Sequence, residues 1–205
     1  MSSRLPLFLF AVACLACGCS SLRSAFTGLP PRVDTHQVPG FDPSRATSVA
    51  VVVLVGASQG LGPYAVPTDR GVLVRALTDV VEARLTAAGY PVAAGRTIPQ
   101  VIDARDPSAL DAVAVAREVG ADLVVVLTVN ELRETVTPGT TAGAPSYEQH
   151  FDLSAKALGV ASGRAGWTAE ARGTAHLDGG SCQRVATEVA AAIAERFPAR
   201  GGSAP

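Results

Sequence analysis

The chain has 205 residues, a formal charge of −1, and a hydrophobic share of 48% of which aromatics are a small part, 5% of all residues. Near-neutral charge with no basic excess argues against a nucleic-acid binder, and the length leaves one domain with a sizeable core after the amino-terminal leader is set aside. Alanine supplies much of the apolar share, so a core of small side chains is expected, with Phe151, Trp167 and Phe197 as its bulky anchors.

Arg4 precedes an apolar run, Leu5 to Ala16, and the cluster Cys17-Gly18-Cys19-Ser20-Ser21 follows. A run of about a dozen apolar residues is short of the about 20 that span a bilayer as a helix. It fits the h-region of an export signal. The layout resembles a bacterial lipoprotein signal peptide, which implies that a cysteine is acylated and becomes the first residue of the mature protein. Cys19 is favoured: glycine precedes it, two serines follow it, and the h-region before it is longest. Cys17 and Cys14 are the alternatives. The resemblance implies three acyl chains, and at about 0.8 kcal/mol per buried methylene such attachment is effectively permanent. Ser20, at the position after the lipidated residue, resembles a signal for outer-membrane sorting, with the body facing the periplasm.

Ser20 to Arg45 contains Pro30-Pro31, Pro39-Gly40 and Asp42-Pro43, which disfavour helix. The expected division is a signal peptide over 1–18, a lipidated flexible tether over 19–46, an α/β domain over 47–197 and a disordered tail over 198–205. A tether of about 25 residues could hold the domain tens of ångströms from the lipid.

Within the domain, Ser48 to Val55 is a valine-rich run that reads as a buried strand. Arg70 to Ala88 is helical, with Leu73, Leu77, Val80, Val81 and Leu85 on one stripe and Gly89 as its stop. Pro91 to Ile98 reads as a short strand. Asp106-Pro107 opens a second helix, with Leu110, Val113 and Ala114 as its apolar face and Gly120 at its end. Leu123 to Val129 is another buried strand, and Thr137 to Ser146 a loop. Next comes a hairpin in which Tyr147, Phe151, Leu153, Ala155 and Ala157 alternate with Glu148, His150, Asp152, Ser154 and Lys156. Its return strand alternates Ala165, Trp167, Ala169, Ala171 and Ala175 with Thr168, Glu170, Arg172, Thr174 and His176. A three-residue loop, Ala161-Ser162-Gly163, would pair Val160 with Arg164. That register sets Asp152 against Arg172, Glu148 against His176, Ala157 against Trp167 and Phe151 against Gly173. The last helix, Ser181 to Phe197, carries Val185, Val189, Ile193 and Phe197 at four-residue spacing. The fold class is α/β, with the order β-α-β-α-β-β-β-α and a mixed sheet of about five strands with packed helices.

Val53 to Gly62, VLVGASQGLG, looks like the cofactor loop of short-chain dehydrogenases, where glycines admit a pyrophosphate at a helix start. Pro63 and Pro67 interrupt the segment that should be helical. The family's Tyr-x-x-x-Lys pair is missing, because Lys156 is the only lysine and no tyrosine stands four residues before it. Gly56 to Gly62 is therefore read as a plain loop, and no cofactor is expected. His150, His176 and Glu148 fall on one polar face and are of types that bind zinc or copper, but a solvated sheet face is the expected reading, with no metal. His36 is expected in the tether. Cys182, the one thiol left if Cys19 is lipidated, lacks partner ligands and reads as a small residue on a partly buried helix face, with an intermolecular disulfide as the sharper alternative.

The run VAVVVLV, Gly120-Ala121-Asp122 before LVVVLTV, and a Ser-Gly turn before Trp167 together resemble the LpoB, CsgG and TolB amino-terminal-like domains. Ala157 to Trp167, ALGVASGRAGW, is the closest segment, with Gly159 where the pattern has aspartate. The resemblance implies a non-catalytic envelope lipoprotein that binds another envelope protein, as a cell-wall synthase regulator or an assembly or secretion adaptor. An oligomeric outer-membrane channel subunit of the curli-exporter type is the alternative, and a dehydrogenase acting through Gly56–Gly62 a remote one. The expected partners are the membrane, through the acyl chains, and an envelope protein, with no nucleic acid.

Overall fold

The computed structural model describes residues 31–55, 70–93, 111–137, 146–177 and 182–201. The elements are β1 (Val33–Gln37), β2 (Val49–Val55), α1 (Arg70–Ala87), α2 (Ala112–Glu118), β3 (Leu123–Thr137), β4 (Ser146–Gly159), β5 (Ala165–Leu177) and α3 (Cys182–Glu195). They form one five-stranded mixed sheet in the order β1-β5-β4-β3-β2, parallel only between β2 and β3.

The valine runs are continuous because both of their faces are covered. Val49, Val51 and Val53 point into a core beneath α1 and α3. Ala50 and Val52 point the other way, with Val124 and Val126, against Val115 and Ala116 of α2. Seven-residue α2 reaches no further, and past Val129 the outer side chains of β3, Glu131, Arg133 and Thr135, are polar. The bulge at Asn130 marks the change.

Small side chains shape the inner layer. Ala186, Ala190 and Ala194 of α3 and Ala155, Ala157 and Ala169 of the sheet all belong to this core, which lets helix and sheet approach closely. Phe197 anchors it edge-on, 5.0 Å and 88° from Trp167 and 5.2 Å and 61° from Tyr90. The Tyr90 hydroxyl donates to the Pro198 carbonyl at 2.7 Å.

Several expectations change. Val33–Gln37, placed in the tether by sequence, is an edge strand paired antiparallel with β5 through Val33↔Ala171 to Gln37↔Trp167. The chain then turns at Gly40 (φ +83°), and Phe41 packs on Gly166. His36 therefore sits in the sheet. Of the strand expected over Pro91–Ile98, the described part makes a single parallel bridge, Val92 to Val49. The proposed helix start at Asp106-Pro107 and Leu110 lie outside the described residues. Within them α2 starts after Asp111, whose carboxylate accepts from the amides of Val113 and Ala114; its buried residues are Val115 and Ala116, with Val113 of the expected face packed partly buried against the same cluster. β3 runs on to Thr137. The first tail residues are fastened down: the Arg200 amide donates to the Ala88 carbonyl at 3.0 Å and its guanidinium to the Ser44 carbonyl at 3.2 Å.

The hairpin register agrees with expectation from Glu148↔His176 through Ala157↔Trp167. Nearer the turn it slips by one, to Leu158↔Ala165. The Gly159 amide, rather than that of Val160, bonds the Arg164 carbonyl, and Gly163 takes the left-handed conformation (φ +63°). The slip falls at Gly166, where a Cβ would overlap the Phe41 ring.

Candidate interaction face

The outer face of β1, β5, β4 and distal β3 carries alternate side chains that no described helix covers. It gathers His36, His150 and His176, all three histidines of the chain, and Lys156, its only lysine. Pairing of Asp34 with Glu170 and of His36 with Thr168 puts β1 on the same face.

Most carboxylates of this face have a guanidinium beside them. Arg32 Nε lies 3.0 Å from Asp34, Arg133 Nε 3.2 Å from Glu131, and Arg172 reaches Glu170 at 2.7 Å and Asp152 at 3.8 Å. At the bulge, the Asn130 amide donates to Asp152 Oδ1 at 3.0 Å and to Ser154 Oγ at 3.2 Å. Glu148 differs. Its neighbours within ion-pair distance are the imidazoles of His150 and His176, each with Nε2 at 3.9 Å. His150 Nδ1 lies 3.3 Å from the Thr174 hydroxyl. The structure thus brings together the three residues that the sequence placed on one face. Among the described residues no such group has the geometry to hold a metal ion.

The Gly120-Ala121-Asp122 segment does structural work. Gly120 adopts φ +73°, Ala121 is buried, and Asp122 accepts from the Thr47 amide and hydroxyl, both at 2.9 Å, and from the Ser48 amide at 3.1 Å. The start of β2 is thereby tied to the start of β3. Partial burial pushes the Asp122 carboxyl up, but the bonds from Thr47 and Ser48 outweigh it and hold it below the usual carboxylate range.

Cys182, the first residue of α3, is buried. Its thiol donates to Glu134 Oε2 at 3.5 Å. Burial pushes that thiol up, and the Glu134 carboxylate adds to the effect. Sequence reasoning missed this inward polar group. Gln149 is fully buried, and among the described residues neither of its amide atoms has a hydrogen-bond partner. The available signal was its parity with Tyr147 and Phe151, which puts it on the inner face. Cys14, Cys17 and Cys19, and the Gly56–Gly62 loop, lie outside the described residues.

No family model matches the chain, and no curated protein does. Solved structures do. The PelC dodecamer from Paraburkholderia phytofirmans is 17% identical over 84% of this chain and 99% of that one, with a TM-score of 0.47. Lipoprotein GNA1162 from Neisseria meningitidis is 17% identical over 72% and 95%, at 0.48. The LpoB C-terminal domain from Salmonella enterica is 15% identical over 69% and 88%, at 0.32. Each is a similarity of chain path at low identity, and bacterial lipoproteins are among these neighbours.

Proposed function

We propose that the chain is an outer-membrane lipoprotein, anchored through acyl chains on Cys19, whose periplasmic α/β domain docks another envelope protein and catalyses no reaction. The observation that carries this reading is the leader itself, with Arg4, the apolar run to Ala16, and Gly18-Cys19-Ser20-Ser21. Two features support it. Among the described residues no helix is long and apolar enough to cross a membrane. One open face of the sheet carries Asp34, Glu131, Asp152 and Glu170 with their arginine partners, beside exposed Lys156, a charged surface of the kind a protein partner reads.

With β1 in the sheet, the stretch between Cys19 and the first strand is 20–32. Thirteen residues reach at most about 45 Å when extended, so the near end of the domain lies within that distance of the lipid. A channel subunit would need a long membrane-inserting hairpin; the one segment that could extend it, Thr135 to Ser146, lies mostly outside the described residues, which pair β3 with β4 as far as Thr137↔Ser146. Crosslinking of intact envelopes tests the reading: a photo-reactive residue at Thr174 should give a discrete adduct, lost when Cys19→Ala removes the anchor. Absence of any adduct from several positions on this face would refute docking.

A further inference from the structure

β1 is an open edge of the sheet, with β5 as its neighbour on one side. The Val38 amide donates to the Gly166 carbonyl at 2.8 Å, and the same ladder continues through His36↔Thr168 and Asp34↔Glu170. Alternation in an antiparallel ladder then turns the amides and carbonyls of Val33, Thr35 and Gln37 away from β5. Among the described residues no backbone group pairs with them, and Thr35 and Gln37 are exposed. Pro31 and Pro39, the next residues on that side in either direction, have no N–H to give. The outward donors are therefore spaced evenly about Thr35.

That arrangement matches itself on rotation by half a turn. With Thr35 set against Thr35 of a second copy, Val33 falls opposite Gln37, and each of these pairs exchanges both backbone bonds. Pro31 falls opposite Pro39 and ends the ladder on both sides. The side chains agree with the backbone. Asp34 and His36 stand on the outer face, and this register sets each Asp34 against the second copy's His36, whose ring N–H donates to a carboxylate in either protonation state. Val38, one of two exposed large hydrophobics among the described residues, meets the methylenes of the second copy's Arg32, which cover it. Registers one step away fail on both counts: one sets Asp34 against Asp34 and Gln37 against Pro31, the other His36 against His36 and Val33 against Pro39. The next shift in either direction sets Thr35 itself against a proline.

We propose that β1 pairs antiparallel with β1 of a second copy of this chain, about a two-fold axis at Thr35, and joins the two five-stranded sheets into one. The axis stands perpendicular to the sheet, so the two open faces lie on the same side and form one continuous surface. A single short strand from each copy buries less than a stable interface needs in free solution, so the dimer belongs to a setting that concentrates the chains. For that setting the proposal rests on the lipoprotein reading, in which the anchors hold copies in one plane; the register itself needs no anchor. An open strand edge otherwise invites pairing with any chain, and a two-fold contact closes it.

Disulfide trapping of the full-length chain in intact envelopes tests this. The paired Thr35 residues bring their Cα atoms to about 5.5 Å, inside disulfide range, so Thr35→Cys should give an adduct of twice the chain's mass under mild oxidation. Wild type, whose Cys182 is buried, should give none. Gln37→Cys alone should give none either, because the two Gln37 positions lie about 14 Å apart along the strands, yet it should crosslink when co-expressed with Val33→Cys. Adding His36→Asp to Thr35→Cys should slow trapping about tenfold, and the swap Asp34→His/His36→Asp should restore it. The proposal is overturned if Thr35→Cys yields no dimer, if Gln37→Cys alone traps as fast, if His36→Asp changes nothing or if the swap restores nothing. An adduct of any other mass also overturns it, since the strand of another protein would then occupy the edge. Intact mass of the same sample reports the lipid: a lipidated chain that fails to dimerise overturns the pairing, and an unlipidated chain that dimerises sinks the anchor alone.

Discussion

Gly166→Ala tests where the folded domain begins. Gly166 has no left-handed backbone, so alanine is conformationally acceptable there. What forbids it is space: an added Cβ would overlap the ring of Phe41. Phe41 follows β1 and is fixed by backbone bonds, Val38 N–H to the Gly166 carbonyl at 2.8 Å and Phe41 N–H to the Val38 carbonyl at 3.0 Å. The Gln37 amide also donates to the Phe41 carbonyl at 2.9 Å. Moving the ring therefore disturbs the edge strand. Overpacking of this kind costs about 1–3 kcal/mol. In a Phe41→Ala background the space is free, and Gly→Ala without a clash stabilises by about 0.4–1 kcal/mol through the unfolded chain. The same substitution should thus change sign between the two backgrounds, a coupling of at least about 1.5 kcal/mol. Urea unfolding of the four proteins of this cycle measures it. Additive effects, or a neutral Gly166→Ala in the parent, would show that residues 33–41 are tether after all.

Asp122→Ala removes three hydrogen bonds at a solvent-exposed site and should cost about 1–2 kcal/mol. Because the folded carboxyl is held below its usual range, its contribution is present above about pH 4 and is lost as pH falls through the folded value. The stability gap between parent and variant should therefore close in strong acid, and a gap that widens there would refute the assignment. Phe197→Ala removes the ring shared by Tyr90 and Trp167 and should cost about 3–5 kcal/mol in chemical unfolding; a loss under 1 kcal/mol would contradict the core described. Cys182 should resist a thiol reagent in the native protein and react at once in denaturant. Rapid native labelling, or an intermolecular disulfide, would contradict its burial.

The legible parts of the fold were those in which side chains decide. Continuous valine in β2 and early β3 announces cover on both faces, and the charge pairs Glu148–His176 and Asp152–Arg172 announce the hairpin register. What sequence hid lies in backbone or distant contacts. β1 has one apolar residue, Val33, because an edge strand with exposed sides is held by its peptide bonds. The slip near the hairpin turn falls where Phe41, remote in sequence, needs room over Gly166. The first tail residues, 198–201, are held by Arg200, whose amide bonds the carbonyl of Ala88. At the candidate face, the meeting of Glu148 with two histidines was readable from register, whereas the guanidinium partners of its neighbours, which single it out, required coordinates.

The intact mass of the mature protein, purified from membranes, bears most directly on the proposed function. The account predicts a chain that begins at Cys19 and carries three acyl chains, and a Cys19→Ala form that keeps its leader. A mature chain that begins elsewhere, or one with no added lipid, would contradict it.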